Sequence, residues 1–207
     1  MLIISHRGLW KYPEQKNSRE AFLNSFNSGY GTETDIRDLN GKLVISHDIP
    51  TGGELAFTDF LDILGDKTYP VALNIKSDGL AQKIAEELSS RKHVDWFVFD
   101  MSVPDQLSHI KAGNPIFTRL SEAEPSPVWL EHAVGVWLDA FNGEWYSNDL
   151  ITRLLEKGKR VCIVSPELHG RDPSSLWERL LALPRHSDLI LCTDRPLDAH
   201  NIFRSVM

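Results

Sequence analysis

Leu2-Ile3-Ile4-Ser5-His6-Arg7-Gly8, at the head of the chain, is a short apolar run that ends in titratable side chains. Two further stretches follow the same plan, Thr32-Glu33-Thr34-Asp35 and Leu43-Val44-Ile45-Ser46-His47-Asp48. Runs of this kind read as buried strands. Titratable groups at their ends should gather at one rim of a sheet, where His6, His47, Glu33, Asp35 and Arg7 would meet. Two imidazoles, two carboxylates and a guanidinium suit phosphate chemistry. Glu33 and Asp35 are two apart and so share one face of their strand. Two inward acids are costly without a cation, so even a purely structural reading pairs them with Arg7 or Lys76.

Outward from these runs, Asn17-Ser18-Arg19-Glu20 leads into Ala21, Phe22 and Phe26, the spacing of one helix face with Asn17 or Ser18 as cap. That helix should stop at Ser28-Gly29. Asn40-Gly41 between two strand-like runs is a hairpin signal. With those two as the loop, paired residues sum to 81, which sets His47 level with the acids but one residue off their face. A three-residue loop or a bulge is expected to correct the mismatch. Further strand-like runs lie at Val71 to Ile75, Trp96 to Phe99, Pro115 to Thr118, Val134 to Leu138, Arg160 to Val164 and Leu189 to Thr193. Helical stretches alternate with them, among them Gly79 to Arg91, Asn148 to Lys157, Pro173 to Leu183 with Asp172 as cap, and a last helix after Arg195-Pro196. Eight β units with intervening helices indicate an α/β chain of the (β/α)8 TIM-barrel class, with a β-hairpin extension after the second strand. A doubly wound sheet would be expected to carry a glycine-rich phosphate turn after its first strand, and Arg7-Gly8-Leu9-Trp10 is not one.

Composition sets bounds on the rest. At 207 residues, 42% apolar and 25% charged, the chain suits one domain over 1–207. A net charge of -7 argues against general nucleic-acid binding, which needs a basic face. No apolar stretch approaches the roughly 20 residues of a membrane span. The start of the chain is too short for a signal h-region before His6. A cytoplasmic protein with no stable membrane insertion is the expectation. Cys162 and Cys192 sit in apolar runs and read as buried free thiols.

Taken in order and spacing, His6-Arg7-Gly8, Asn17, Glu33-Thr34-Asp35 and His47-Asp48 resemble the glycerophosphodiester phosphodiesterase family. Thr193-Asp194-Arg195-Pro196 is similar to the closing motif of that family. The resemblance spans the chain and is dense at its two ends. It implies a TIM barrel, a divalent metal such as Mg2+ or Ca2+, and hydrolysis of a small phosphodiester by a pair of histidines. At the matching positions His6 and His47 would be the catalytic pair, Arg7 a phosphate ligand, and Glu33 and Asp35 metal ligands. Two features depart from the pattern. Asn74 stands where the family has a Glu ligand two residues before a Lys. Only Ile49 to Glu54 follows His47-Asp48, where the family inserts a longer segment, so the site should be more open.

Outside the matched positions, Lys76 shares the face of Asn74 and would either hold a phosphate oxygen or stand in for the metal. Arg119, after Phe117-Thr118, is a candidate anion ligand or the partner of Glu122. Trp137 is a core residue by default and a stacking surface in the sharper reading. Glu167, in the polar loop Ser165 to Arg171, would supply a missing ligand, bind substrate hydroxyls, or pair with Arg171. His93, His109, His132, His186 and His200 read as surface. The function expected is metal-assisted hydrolysis of a glycerophosphodiester-like or polyol phosphodiester. The rival is a catalytically degenerate barrel that binds a phosphorylated sugar or lipid headgroup.

Overall fold

In a computed structural model, which describes residues 1–204, strand and helix alternate along the chain. The elements are β1 (Leu2–His6), α1 (Arg19–Asn27), β2 (Gly31–Leu39), β3 (Lys42–Ile45), α2 (Phe57–Leu64), β4 (Val71–Ile75), α3 (Ala81–Leu88), β5 (Trp96–Phe99) and α4 (Val103–Lys111). They continue with β6 (Phe117–Leu120), β7 (Gly135–Leu138), α5 (Asn148–Glu156), β8 (Arg160–Val164), α6 (Ser174–Leu180), β9 (Leu189–Thr193) and α7 (Pro196–Arg204). Eight parallel strands, all but β6 followed by a helix before the next parallel strand or the end of the described chain, make this a (β/α)8 TIM barrel, and β3 is the expected hairpin extension on β2. Residues His6–Ile116 form one compact unit; Met1–Ser5 and residues 117–204 form another.

In the unit His6–Ile116, β4 lies between β2 and β5, all parallel, with Asp35 beside Asn74 and Leu73 beside Val98. Thr32 to Ile36 are buried on both faces, as expected of a parallel strand covered on each side. Ser18 caps α1, its hydroxyl accepting from the Ala21 N–H at 3.2 Å. Phe22 and Phe26, one helical turn apart, both pack on Phe60 of α2, with ring centroids 4.8 and 6.0 Å away. Asn40 and Gly41 form a two-residue hairpin loop with φ of 49° and 76°, the left-handed pair that suits a type I′ turn.

The other unit stacks β1, β9, β8, β7 and β6 in parallel order. Its core is built on Val136, Leu138, Val161, Ile163, Leu191 and Trp177. At Gly135 the Phe117 ring comes so close that a Cβ would lie 2.4 Å from it, so only glycine fits there.

Several expectations are corrected. The fifth parallel strand is Phe117–Leu120, two residues later than the sequence suggested, because Pro115 and Ile116 meet β5 only as a single bridge at Val98. No α-helix separates β6 from β7 among the described residues. Pro125 and Pro127 interrupt that stretch, and the Ser121 hydroxyl accepts from Ala123 and Glu124 in a turn. Helix α3 is shorter than the periodic stretch. α6 begins at Ser174, and the Asp172 carboxylate reaches the Ser174 N–H at 3.0 Å. His109 is fully buried rather than on the surface, held at Nδ1 by the Asn114 amide (3.0 Å) and facing Asp105 at 3.5 Å. Cys162 and Cys192 are buried free thiols. No helix of the described residues is long and apolar enough to cross a membrane.

Candidate active site

At the end of β1 the chain turns sharply. Arg7 has a φ of 59°, its N–H donates to the Glu33 carbonyl at 3.0 Å, and its carbonyl accepts from Asn17 at 2.9 Å. The Gly8 N–H donates to Thr32 Oγ1 at 3.0 Å, and a Cβ on Gly8 would lie 2.6 Å from the Ala21 Cβ. Only glycine lets α1 approach this closely. The turn therefore fixes Arg7 between β2 and the start of α1.

The charges converge on Asp35, whose carboxylate is fully buried. Arg7 Nε lies 2.8 Å from Oδ2, and Lys76 Nζ lies 3.4 Å from Oδ1. Asn17 donates its amide to Oδ2 at 2.8 Å while its own oxygen accepts from Thr34 at 2.9 Å. Since Ser18 caps the helix, Asn17 is free for this bridge, and its φ of 59° turns it inward. In sequence Asn17 was legible only as a cap candidate and part of the family pattern. Its place on Asp35 is a tertiary fact.

Glu33 lies on the same buried strand, its Oε2 3.9 Å from His6 Nε2. Burial, and then the Asp35 charge, push its carboxyl from 4.5 up to about 7, against the opposing pull of His6, Arg7 and Lys76. Folded Glu33 thus holds a proton that the unfolded chain releases at 4.5. Its contribution to stability is fully present below the unfolded value and is lost as pH rises through about 7. Metal-free protein should therefore melt at a lower temperature at about pH 8 than at about pH 5 from this group, and Glu33→Gln should flatten that difference. An unchanged pH profile in Glu33→Gln would contradict the assignment.

The hairpin corrects one expectation. The loop keeps two residues and the register keeps its sum, with Ile36 opposite Ile45 and Ser46 donating to the Asp35 carbonyl at 3.0 Å. There is no bulge. The strand ends at Ile45 instead, and the chain bends at His47-Asp48, which frees His47 from the pleat. His47 is half exposed, with Nδ1 2.9 Å from the Asp48 carboxylate. It lines a cleft of about 610 Å³ together with Arg7, Lys16, Asn17 and Arg19. Across that cleft, the Glu54 carboxylate gathers the N–H groups of Thr51 and Gly52, at 2.7 and 2.9 Å, so the short loop folds on itself.

Glu33 Oε2, Asp35 Oδ1 and Asn74 Oδ1 are buried without a hydrogen-bond partner. Three hard oxygen donors on neighbouring strands fit a hard divalent cation of the Mg2+ or Ca2+ type. Among the described residues no three His, Cys, Asp or Glu side chains are grouped to hold a metal.

Arg119, Trp137 and Glu167 belong to the other unit. Arg119 pairs with Glu124, not Glu122, and stands 5.7 Å over the Phe141 ring. Glu122 instead accepts the Asn142 N–H at 2.6 Å. Trp137 is buried in β7 at 4% exposure, a placement that favours packing over stacking on a ligand. Glu167 does not pair with Arg171. It accepts from the hydroxyls of Ser165 and Thr193 and from the Asp194 N–H at 3.1 Å, while Arg171 donates to the Ala140 carbonyl. A His169–Asp139 contact of 2.7 Å in the same unit carried no signal in the sequence.

No family model matches the chain, and no curated protein matches it in sequence. Solved structures do. The chain is similar to a candidate glycerophosphodiester phosphodiesterase from Galdieria sulphuraria, with a TM-score of 0.74 and 16% identity over 98% of this chain and 97% of that one. It is similar to a glycerophosphodiester phosphodiesterase from Agrobacterium tumefaciens, at 0.71 and 18% identity over 100% and 98%. A glycerophosphoryl diester phosphodiesterase from Parabacteroides distasonis matches at 0.68 and 16% identity, over 100% of this chain and 87% of the other. The chain thus has the fold of glycerophosphodiester phosphodiesterases, at low identity to each of them.

Proposed function

We propose that the chain is a phosphodiesterase, a short and divergent relative of the glycerophosphodiester phosphodiesterases, which hydrolyses a small glycerophosphodiester or polyol phosphodiester. The observation that carries this reading is the buried cluster of β1 and β2, with His6 3.9 Å from Glu33 and Arg7 on Asp35. Arg7, fixed by its turn and by Asp35, would bind a nonbridging phosphoryl oxygen and share the charge that develops there. One of His6 and His47 would take the proton of the attacking water or substrate hydroxyl, and the other would protonate the leaving alkoxide. Lys76 adds positive charge beside Asp35 and would hold a second phosphoryl oxygen. A divalent cation, held by Glu33, Asp35 and Asn74, would supply Lewis-acid polarisation of the phosphoryl group. Arg119 and Glu167 are retained as substrate-binding candidates, and Trp137, at 4% exposure, is read as a core residue. The location proposed is cytoplasmic, in keeping with two buried free thiols, with no nucleic-acid partner.

Asn74 is the departure with the largest consequence for the cation. An amide oxygen ligates a hard cation, but it lacks the charge of the carboxylate it replaces, and affinity in oxygen sites follows ligand charge. Asn74→Glu should tighten Mg2+ or Ca2+ binding by about tenfold, or about 1.4 kcal/mol. Calorimetric titration of both proteins measures this directly, alongside a phosphodiester screen at each metal concentration. If Asn74→Glu leaves the metal requirement unchanged and Glu33→Gln leaves activity unchanged, no metal acts here. The Lys76-assisted reading would then replace this one.

A further inference from the structure

The unit that contains β1 and β9 has a second concavity, of about 330 Å³, between the ends of α6 and α7. Its walls are apolar: Leu180 at the end of α6, Leu183 just beyond it, Leu189 at the start of β9, Ile3, and Phe203 of α7. Its charged and titratable groups are Arg185, His200, Arg204 and the amino group of Met1, and no Asp or Glu lines it among the described residues. In a chain of net charge -7 an all-basic mouth on an apolar cavity is opposite in sign to the chain as a whole. Leu180 and Leu189, at 3% and 1% exposure, belong to the packed core, and the accessible apolar wall is given mainly by Ile3, Leu183 and Phe203.

We propose that this cavity binds a single-chain aliphatic carboxylate, a medium-chain fatty acid, with the chain on the leucine and phenylalanine walls and the carboxylate at Arg185 and Arg204. The volume is at the lower end of the roughly 300–1,000 Å³ typical of ligand sites, which suits one acyl chain rather than two. Burial of the methylene groups provides the driving force. The planar guanidinium fork selects a carboxylate head, with two parallel N–H donors for two oxygens. An ammonium-headed amphiphile of the same length gains the apolar contacts but meets like charge at the mouth.

Titration calorimetry of the full chain with decanoate, kept below its micelle concentration, tests this, with decyltrimethylammonium as the cation-headed control. The expected result is saturable one-to-one binding of decanoate and none of the control. Arg185 is exposed, so Arg185→Glu should fold normally, weaken decanoate binding at least tenfold, and leave phosphodiester hydrolysis unchanged, while Arg185→Lys, which keeps the charge but loses the fork, should weaken it less. Failure of decanoate to saturate, equal binding of both amphiphiles, or unchanged affinity in Arg185→Glu would overturn the assignment. Self-association of the chain that decanoate does not dissociate would also overturn it, since a second copy would then be the occupant.

Discussion

Replacing either His6 or His47 by alanine is expected to lower kcat by about 10²–10⁴, the usual span for loss of a positioned acid or base. Each imidazole has a carboxyl group beside it. His6 ends β1 with its Nε2 3.9 Å from the buried Glu33 carboxyl, and it is largely shielded from solvent. His47 faces the Asp48 carboxylate through Nδ1 at 2.9 Å. A carboxylate accepts only, so in the neutral ring the proton belongs on Nδ1 and Nε2 would be the nitrogen that accepts one. If the two histidines act in one proton relay, the double replacement should cost little more than either single one. Additive losses in log kcat would show instead that they act in separate steps.

Asp35→Asn is expected to give the largest loss of stability of any single change at the site. The carboxylate is fully buried and is the counter-ion of both Arg7 and Lys76, at 2.8 and 3.4 Å. Removing one partner of a buried pair leaves charge without compensation, at a cost of about 3–5 kcal/mol. Arg7 and Lys76 keep 19% and 21% of their side-chain surface exposed, which places the loss near the lower end. Urea unfolding measures it. The double variant Asp35→Asn with Lys76→Met should recover part of the loss, since it removes one stranded cation. A loss under about 1 kcal/mol in the single variant would mean that water and Glu33 already satisfy both cations.

Much of this architecture was legible because it rests on short-range signals. The runs Val71 to Ile75, Trp96 to Phe99, Arg160 to Val164 and Leu189 to Thr193 are strands with the bounds their apolar composition indicates. Asn40-Gly41 fixed its hairpin because both residues accept positive φ. What stayed hidden depends on contacts distant in sequence. His109 looks like a surface residue because Asp105, Gln106 and His109 form a polar inward face on α4, buried through Asn114 and Gly79. The face of His47 could not be read from pairing parity, since it is set by a bend beyond the last paired residue. The site residues themselves were legible as residue types at the ends of apolar runs, although Glu33 and Asp35 lie within β2 rather than at its end. Their pairing was not: Asp35 is reached by Asn17 across 18 positions, and Glu167 turns to Thr193 rather than to its neighbour Arg171.

The most direct measurement is the release of glycerol phosphate from a glycerophosphodiester such as glycerophosphocholine, with Mg2+ or Ca2+ present and then chelated. The His6→Ala, His47→Ala double variant serves as the blank. The expected result is metal-dependent turnover that the double variant lacks while it still unfolds cooperatively. Equal rates in the two proteins, or no hydrolysis of any phosphodiester by a chain that still binds a phosphorylated sugar, would contradict it and leave a binding protein on a phosphodiesterase fold.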